Sequence, residues 1–227
     1  MDLVEALSHD FRTALATIET SRYLTERLVG DAVRPIVQPK LESIQRSVIH
    51  LATQLEHLHM VSFLTGPTFT PCNLNYIVNG IMTDQIGKAD QKHIKLLFKA
   101  DDGMPILRID GVKIEKAIRH LVANALTHTP DNGNVTVNTR HSADYAIIEV
   151  QDTGSGIAPE VIERIFEPFF RGDTARTVEK GGVGLGLTIV KMIVEAHGGT
   201  VIAHSQSGMG SVFILSLPLK AEIAASA

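Results

Sequence analysis

The chain has very few cysteine and large aromatic residues. Its 227 residues include one cysteine, Cys72, no tryptophan and three tyrosines. A single cysteine cannot form an internal disulfide, and it excludes zinc or iron–sulfur sites built from several cysteines. The scarcity of large rings disfavours a surface on which single-stranded bases stack. Because the one cysteine has no partner within the chain for a disulfide, we expect a protein of a reducing compartment.

The sequence also lacks a basic excess and long hydrophobic runs. It has 21 basic and 25 acidic residues, a formal net charge of −4, whereas nucleic-acid-binding domains favour basic surfaces. No apolar run approaches the roughly 20 residues that span a bilayer, and residues 1–5 do not resemble a signal peptide. We expect no nucleic-acid partner, no membrane segment in this chain and a cytoplasmic location.

Residues 2–64 show the periodicity of two helices. Gly30, Pro35 and Pro39 predict a turn over residues 30–39. A pair of helices with wide apolar stripes predicts an antiparallel hairpin that forms a homodimeric four-helix bundle. The alternative is a monomeric hairpin packed on the rest of the chain. The apolar residues of the second helix step by three and four, as in a heptad seam: Leu41, Ile44, Val48, Leu51, Leu55 and Leu58.

Gly66 and Pro67 predict a hinge between two domains. After it, strand hairpins and helices predict an α+β fold with an α/β sandwich. We expect domains over residues 1–65 and 66–220 and a flexible tail over residues 221–227. Helices are predicted over residues 73–87, 112–128 and 186–197, and strands over residues 93–100, 106–110, 134–141, 145–152, 200–204 and 211–217.

Two glycine-rich segments lie beside predicted elements. DTGSGI (152–157) ends a strand, and GGVGLGL (181–187) opens a helix. Glycines let a backbone approach a ligand closely, and a helix N-terminus offers free N–H groups to phosphate. Neither segment fits a Rossmann fingerprint or a P-loop, and either one alone is compatible with an ordinary turn.

Together and in this order, the segments resemble the boxes of the GHKL (Bergerat) ATP-binding fold. HLVANALTHTP with Asn124, DTGSGI, IFEPFFRG with Phe169, and GGVGLGL resemble its N, G1, F and G2 boxes, and GMGSVFILSLPL resembles the closing G3 box. SHDFRTAL around His9 resembles the H-box of the HisKA dimerisation and phosphotransfer domain. Over about residues 2–218 the chain is therefore similar to sensor histidine kinases.

The resemblance implies a role for each matched residue. His9 is expected to accept the phosphoryl group, with Asp10 as its acidic neighbour and Thr13 placing the water for phosphatase activity. Asn124 is expected to hold Mg²⁺ through its amide oxygen, and Asp152 to read the adenine of ATP. The other expected nucleotide contacts are Gly154, Gly156, Phe169, Arg171, Lys180, Gly182, Gly184, Leu185 and Gly186.

Four positions depart from the family pattern. His120 stands where many relatives carry a second asparagine, Thr127 and His128 stand where a basic residue often follows, and Ala14 replaces a proline. These changes bear on Mg²⁺ binding and catalytic rate. They leave the glycine boxes and the adenine-reading aspartate intact.

The sequence thus predicts the core of a two-component sensor histidine kinase. Its homodimer would phosphorylate His9 from Mg-ATP and pass the phosphoryl group to an aspartate of a response-regulator receiver domain. One alternative is a non-catalytic histidine phosphotransfer or scaffold protein on the same fold, which the intact glycine boxes disfavour. Another is a GHKL ATPase or serine kinase without phosphohistidine, which the H-box and the absence of glutamate at position 120 disfavour.

Overall fold

The computed structural model describes residues 3–31, 33–63, 67–167, 170 and 186–219. These residues fall into two compact units, one before and one after residues 64–66. The predicted tail over residues 221–227 lies outside the described residues.

The first unit contains two helices, α1 (Leu3–Leu28) and α2 (Arg34–Phe63), that pack on each other. Next to the connection, the Gln38 side-chain amide donates to the Glu26 carboxylate over 2.9 Å. In this unit alone, Leu41 and Val48 of the predicted seam are buried. Ile44 and Leu51 are 40% and 52% exposed, and the side chains of Leu55 and Leu58 lie outside the described part.

The predicted turn over residues 30–39 is too long. Helix α2 already begins at Arg34 and contains both Pro35 and Pro39. Pro35 lies in the first turn, where a backbone N–H has no helical partner to lose. Pro39 costs the helix one backbone hydrogen bond, a loss that the rest of this 30-residue helix tolerates.

The described part of the second unit is a five-stranded sheet, a two-stranded sheet and three α-helices. The large sheet has the order β2-β4-β5-β7-β6, in which β2 and β4 are parallel and the other neighbours antiparallel. Strands β1 and β3 pair separately. The elements are β1 (Thr70–Cys72), α3 (Leu74–Gln91), β2 (Lys95–Lys99), β3 (Leu107–Ile109), α4 (Gly111–His128), β4 (Asn134–His141), β5 (Tyr145–Asp152), a 3₁₀ turn (Ile162–Arg164), α5 (Gly186–Ala196), β6 (Thr200–Ser205) and β7 (Ser211–Pro218).

The core lies between one face of the large sheet and the three helices. Every second residue of β5 is buried, which sets Ala146, Ile148, Val150 and Asp152 on the same face. The buried residues of α4 recur at helical spacing, from Ile114 to Leu126. Because this alternation continues to the last residue of β5, the carboxylate of Asp152 lies on the same buried face as the apolar side chains that precede it.

Candidate functional site

Asp152 is the buried acid of the site. It is 5% exposed, and its Oδ1 accepts a hydrogen bond from the backbone N–H of Gly154 over 2.7 Å. Burial raises the pKa of Asp152, while backbone hydrogen bonds from Gly154 and Ser211 and the nearby His128 oppose that rise. Since a carboxylate offers about four acceptor positions, Asp152 has capacity left for an amine donor such as that of adenine.

Two glycines let the segment after β5 lie against its neighbours. A Cβ on Gly154 would be 2.6 Å from the carbonyl oxygen of His128 at the end of α4. Gly156 has a φ of +67°, and its Cβ would be 2.0 Å from the carbonyl oxygen of Gln206. Neither position has room for a side chain, so these glycines bring the 152–157 segment close to both α4 and the β6–β7 turn.

Gly210, between β6 and β7, is a third close contact; it lies in the segment that resembles the G3 box, but the sequence reasoning gave this residue no role. Its φ is +84°, and a Cβ there would be 2.0 Å from the carbonyl oxygen of Asp152. The available signal was the Gly208–Gly210 pair directly before a strand. Gly210 thus lets the β6–β7 turn press against the residue that carries the buried carboxylate.

Helix α4 contacts both the 152–157 segment and the start of α5. His128 of α4 contacts the position of Gly154, and His120 Nδ1 is 3.5 Å from the place that a Cβ on Gly186 would take. Asn124 lies one helical turn from each histidine and therefore on the same face of α4. The half-buried Asn124 thus lies between the β5 end and the N-terminus of α5.

The end of α4 is capped by Lys92, which the sequence reasoning missed. Its ammonium donates to the carbonyl oxygens of Leu126 over 2.7 Å, Thr127 over 3.3 Å, and Thr129. A cation at a helix C-terminus satisfies carbonyls that have no helical partner and matches the helix dipole. No local pattern marks Lys92, because its partners are more than 30 residues away in sequence.

The residues present fit a Mg²⁺ ion that arrives with a nucleotide. Among the described residues, no group of three or more histidine, cysteine, aspartate or glutamate side chains could hold a metal ion. Mg²⁺ in nucleotide sites takes most of its ligands from phosphates and water. Such an ion needs few protein ligands, and the half-buried amide of Asn124 is the candidate ligand on α4.

The structure brings together part of the predicted site. It places Asn124, Asp152, Gly154, Gly156 and Gly186 on adjoining elements of the second unit. His9, Asp10 and Thr13 lie within α1, but their side chains are outside the described part. Also outside the described residues are Phe169, Arg171, Lys180, Gly182, Gly184 and Leu185.

Among the helices that the structure describes, none is both long enough and apolar enough to cross a bilayer.

Known proteins resemble this chain in sequence. Residues 109–221 match the family described as histidine kinase-, DNA gyrase B-, and HSP90-like ATPase. The chain is 33% identical over 222 residues to the sensor-like histidine kinase SenX3 of Mycolicibacterium smegmatis, covering 96% of this chain and 57% of that protein. It spans about half the length of the first curated relatives that it matches.

Solved structures show the same fold. The catalytic domain of histidine kinase ThkA matches with a TM-score of 0.61 at 29% identity, over 68% of this chain and 97% of that one. ThkA in complex with response regulator protein TrrA matches with a TM-score of 0.64 at 24% identity, over 96% of this chain and 61% of that one. Residues 109–221 of this chain are thus similar in sequence to the histidine kinase-, DNA gyrase B-, and HSP90-like ATPases, and the chain shares the fold of a histidine kinase catalytic domain.

Proposed function

We propose that this chain is the core of a two-component sensor histidine kinase that uses Mg-ATP to phosphorylate His9. The observation that carries the proposal is the buried Asp152 carboxylate, set among close-packed glycines and next to α4. That arrangement supports adenine recognition in a chain that is similar over 96% of its length to a protein named as a sensor-like histidine kinase.

The proposed division of labour follows the two units. Residues 1–65 form the dimerisation and phosphotransfer hairpin, residues 66–220 bind the nucleotide, and residues 221–227 are a tail. Support for a homodimeric four-helix bundle comes from the apolar side chains that α1 and α2 leave exposed, among them Ile18, Ile44 and Leu51.

In the proposed reaction, the lone pair of a neutral His9 ring nitrogen attacks the γ-phosphorus of ATP. The bond from that phosphorus to the bridging oxygen breaks, ADP leaves with the electron pair, and the ring releases its N–H proton. Asp10 orients the ring and stabilises the positive charge that develops on it. Asn124 would hold Mg²⁺ in part through its amide oxygen, and that ion would supply charge neutralisation at the phosphates.

We propose a response-regulator receiver domain as the partner that takes the phosphoryl group onto an aspartate. The ThkA structure with its response regulator is an example of such a complex in a protein of this fold. Thr13, one turn after His9, is proposed to place the water that hydrolyses the aspartyl phosphate of that partner, which is the phosphatase activity. Because ATP is the donor, we place this activity in the cytoplasm.

The first test is incubation with γ-labelled ATP and Mg²⁺, with a His9→Gln variant as the control. We expect acid-labile, base-stable label on the native protein and none on the variant. Label on both proteins would place the acceptor elsewhere. Absence of label together with absence of nucleotide binding would favour the non-catalytic phosphotransfer or scaffold protein.

A second test addresses the nucleotide site. Asp152→Asn should weaken binding of a fluorescent ATP analogue at least about tenfold, because a hydrogen bond to a buried charged acceptor contributes about 1.5–3 kcal/mol. Asp131→Asn makes the same exchange at an exposed turn and should leave the affinity unchanged. Equal affinities for both variants would remove Asp152 from the adenine site.

A further inference from the structure

The second unit holds the incoming chain at Thr68. The backbone N–H of Thr68 donates to Asp110 Oδ2 over 3.1 Å, a contact across 42 residues of sequence. Two residues later, Thr70 enters strand β1 opposite Ile109 of β3. Asp110 therefore fixes the point at which the chain that follows residues 64–66 joins the second unit.

The same carboxylate begins helix α4. Asp110 is 9% exposed, and its Oδ1 accepts from the backbone N–H of Lys113 over 3.1 Å, the bond of an N-cap. Lys113 Nζ also lies 3.8 Å from Oδ2. One side chain thus divides its two oxygens between the incoming chain and the helix that carries Asn124.

His197, just after α5, holds Asp110 from the other side. Its Nε2 accepts from the Asp110 backbone N–H over 3.0 Å, and Nδ1 donates to the Ile193 carbonyl over 2.7 Å. The ring of Phe69 meets the imidazole edge-on, with centroids 5.3 Å apart. We call Thr68, Phe69, Asp110 and His197 the linker clamp.

We propose that Asp110 is a positioning residue for the phosphoryl transfer, acting through Thr68. This inference rests on the proposed function. Once a tether is long enough to let two groups meet, their effective concentration falls as the tether lengthens further. With the clamp closed, the connection between α2 and the second unit covers residues 64–67, and without it the connection extends to β1. The linker clamp thus shortens the tether that connects the nucleotide-binding unit to the unit that carries His9.

An Asp110→Asn variant separates the two bonds of this carboxylate. Asparagine is a good N-cap and keeps one oxygen for Lys113, while its amide nitrogen cannot accept from the Thr68 N–H. We expect the affinity for a fluorescent ATP analogue to stay within about twofold. The maximal rate of His9 labelling should fall about twofold, and hydrogen exchange at the Thr68 amide should accelerate.

A Thr68→Pro variant removes the same bond from the donor side and leaves the cap of α4 intact. It should lower the labelling rate to a similar degree, again with unchanged nucleotide affinity. The matched control is Asn73→Asp at the N-cap of α3, where the side chain accepts from the Tyr76 N–H over 3.2 Å. That exchange touches no residue of the linker clamp and should leave the rate unchanged.

Two results would overturn the positioning role. Normal labelling rates in both clamp variants would show that the Thr68 bond does not affect the transfer. A loss of nucleotide affinity in Asp110→Asn, with Thr68→Pro normal in every measurement, would reduce Asp110 to a helix cap. Absence of label on the native protein would reject the proposed function itself, and the positioning role with it.

Discussion

At the scale of single residues, the candidate site depends on places where a side chain is forbidden. A Cβ built on Gly210 would lie 2.0 Å from the Asp152 carbonyl oxygen, so only glycine lets the two backbones approach this closely. Burial raises the pKa of the Asp152 carboxyl group, while backbone hydrogen bonds from Gly154 and Ser211 oppose that rise and favour the carboxylate. The protein keeps a desolvated acid where a ligand with an amine donor can complete its hydrogen bonds.

Gly208 and Gly210 form a matched pair for measuring how much stability depends on the close approach of Gly210 to the Asp152 backbone. Both have a positive φ, +79° and +84°, but a Cβ on Gly208 would meet nothing within 4 Å. Gly208→Ala should therefore cost only the conformational strain, about 1 kcal/mol of unfolding free energy. Gly210→Ala adds a clash with backbone and should cost at least about 3 kcal/mol.

Urea unfolding of both variants measures this difference, and titration with an ATP analogue should show weaker binding only for Gly210→Ala. Equal destabilisation by the two substitutions would mean that the Asp152 backbone moves aside at little cost.

At the scale of elements, helix α4 organises the second unit because it is held at both ends. Asp110 caps its first turn and contacts His197 beyond α5, while Lys92 caps its last carbonyls. Between these ends, the helix contacts the Gly154 segment and the start of α5. A shift of α4 would therefore disturb every described part of the candidate site.

The buried His197, which accepts from the Asp110 N–H and donates to the Ile193 carbonyl, should make the free energy of unfolding depend on pH. Burial lowers the pKa of His197 below its ordinary value of 6.5, so the unfolded chain binds the proton more readily than the folded one. The stabilisation is complete above pH 6.5 and is lost as the pH falls through the lowered pKa. The loss approaches at most about 1.4 kcal/mol per pH unit for one proton.

Urea unfolding between pH 7.5 and pH 5 tests this, with His197→Gln as the variant. His197→Gln should be less stable at pH 7.5 but lose less stability on acidification. His204→Gln, at an exposed position of β6, should keep the slope of the native protein. A native-like slope in His197→Gln would assign the pH dependence to other groups.

At the scale of the whole molecule, the first unit leaves an apolar face uncovered. Ile44 and Leu51 are seven residues apart on α2 and so share a face, and they are 40% and 52% exposed. The double variant Ile44→Glu, Leu51→Glu should weaken the proposed homodimer at least about tenfold, because charges would be buried without partners.

Sedimentation velocity over a range of concentrations measures this dissociation. Ile202→Glu, at a position of β6 that is 48% exposed, serves as the control for adding charge and should leave association unchanged. A double variant that associates as tightly as the native protein would place the dimer interface elsewhere.

Much of the fold was predictable because many of its patterns are local. The sequence pattern of residues 134–141 and 145–152 predicts β4 and β5 with the bounds that the structure shows. The glycine predicted to end the last helix, Gly198, has the positive φ, +70°, that such an end requires. Strand β1 was not predicted, because three residues with a central proline carry no alternation. The proline-rich turn was placed wrongly because helix α2 accommodates Pro39.

The sequence by itself determined the order of the boxes, and hence the ATP-binding fold and the candidates Asn124 and Asp152. Only the tertiary structure decided what surrounds them: the Lys92 cap, the Gly210 approach and the linker clamp at Thr68. Each of these joins groups 34 or more residues apart. Side-chain periodicity reports which face of an element is buried, but not which distant donor or acceptor meets it there.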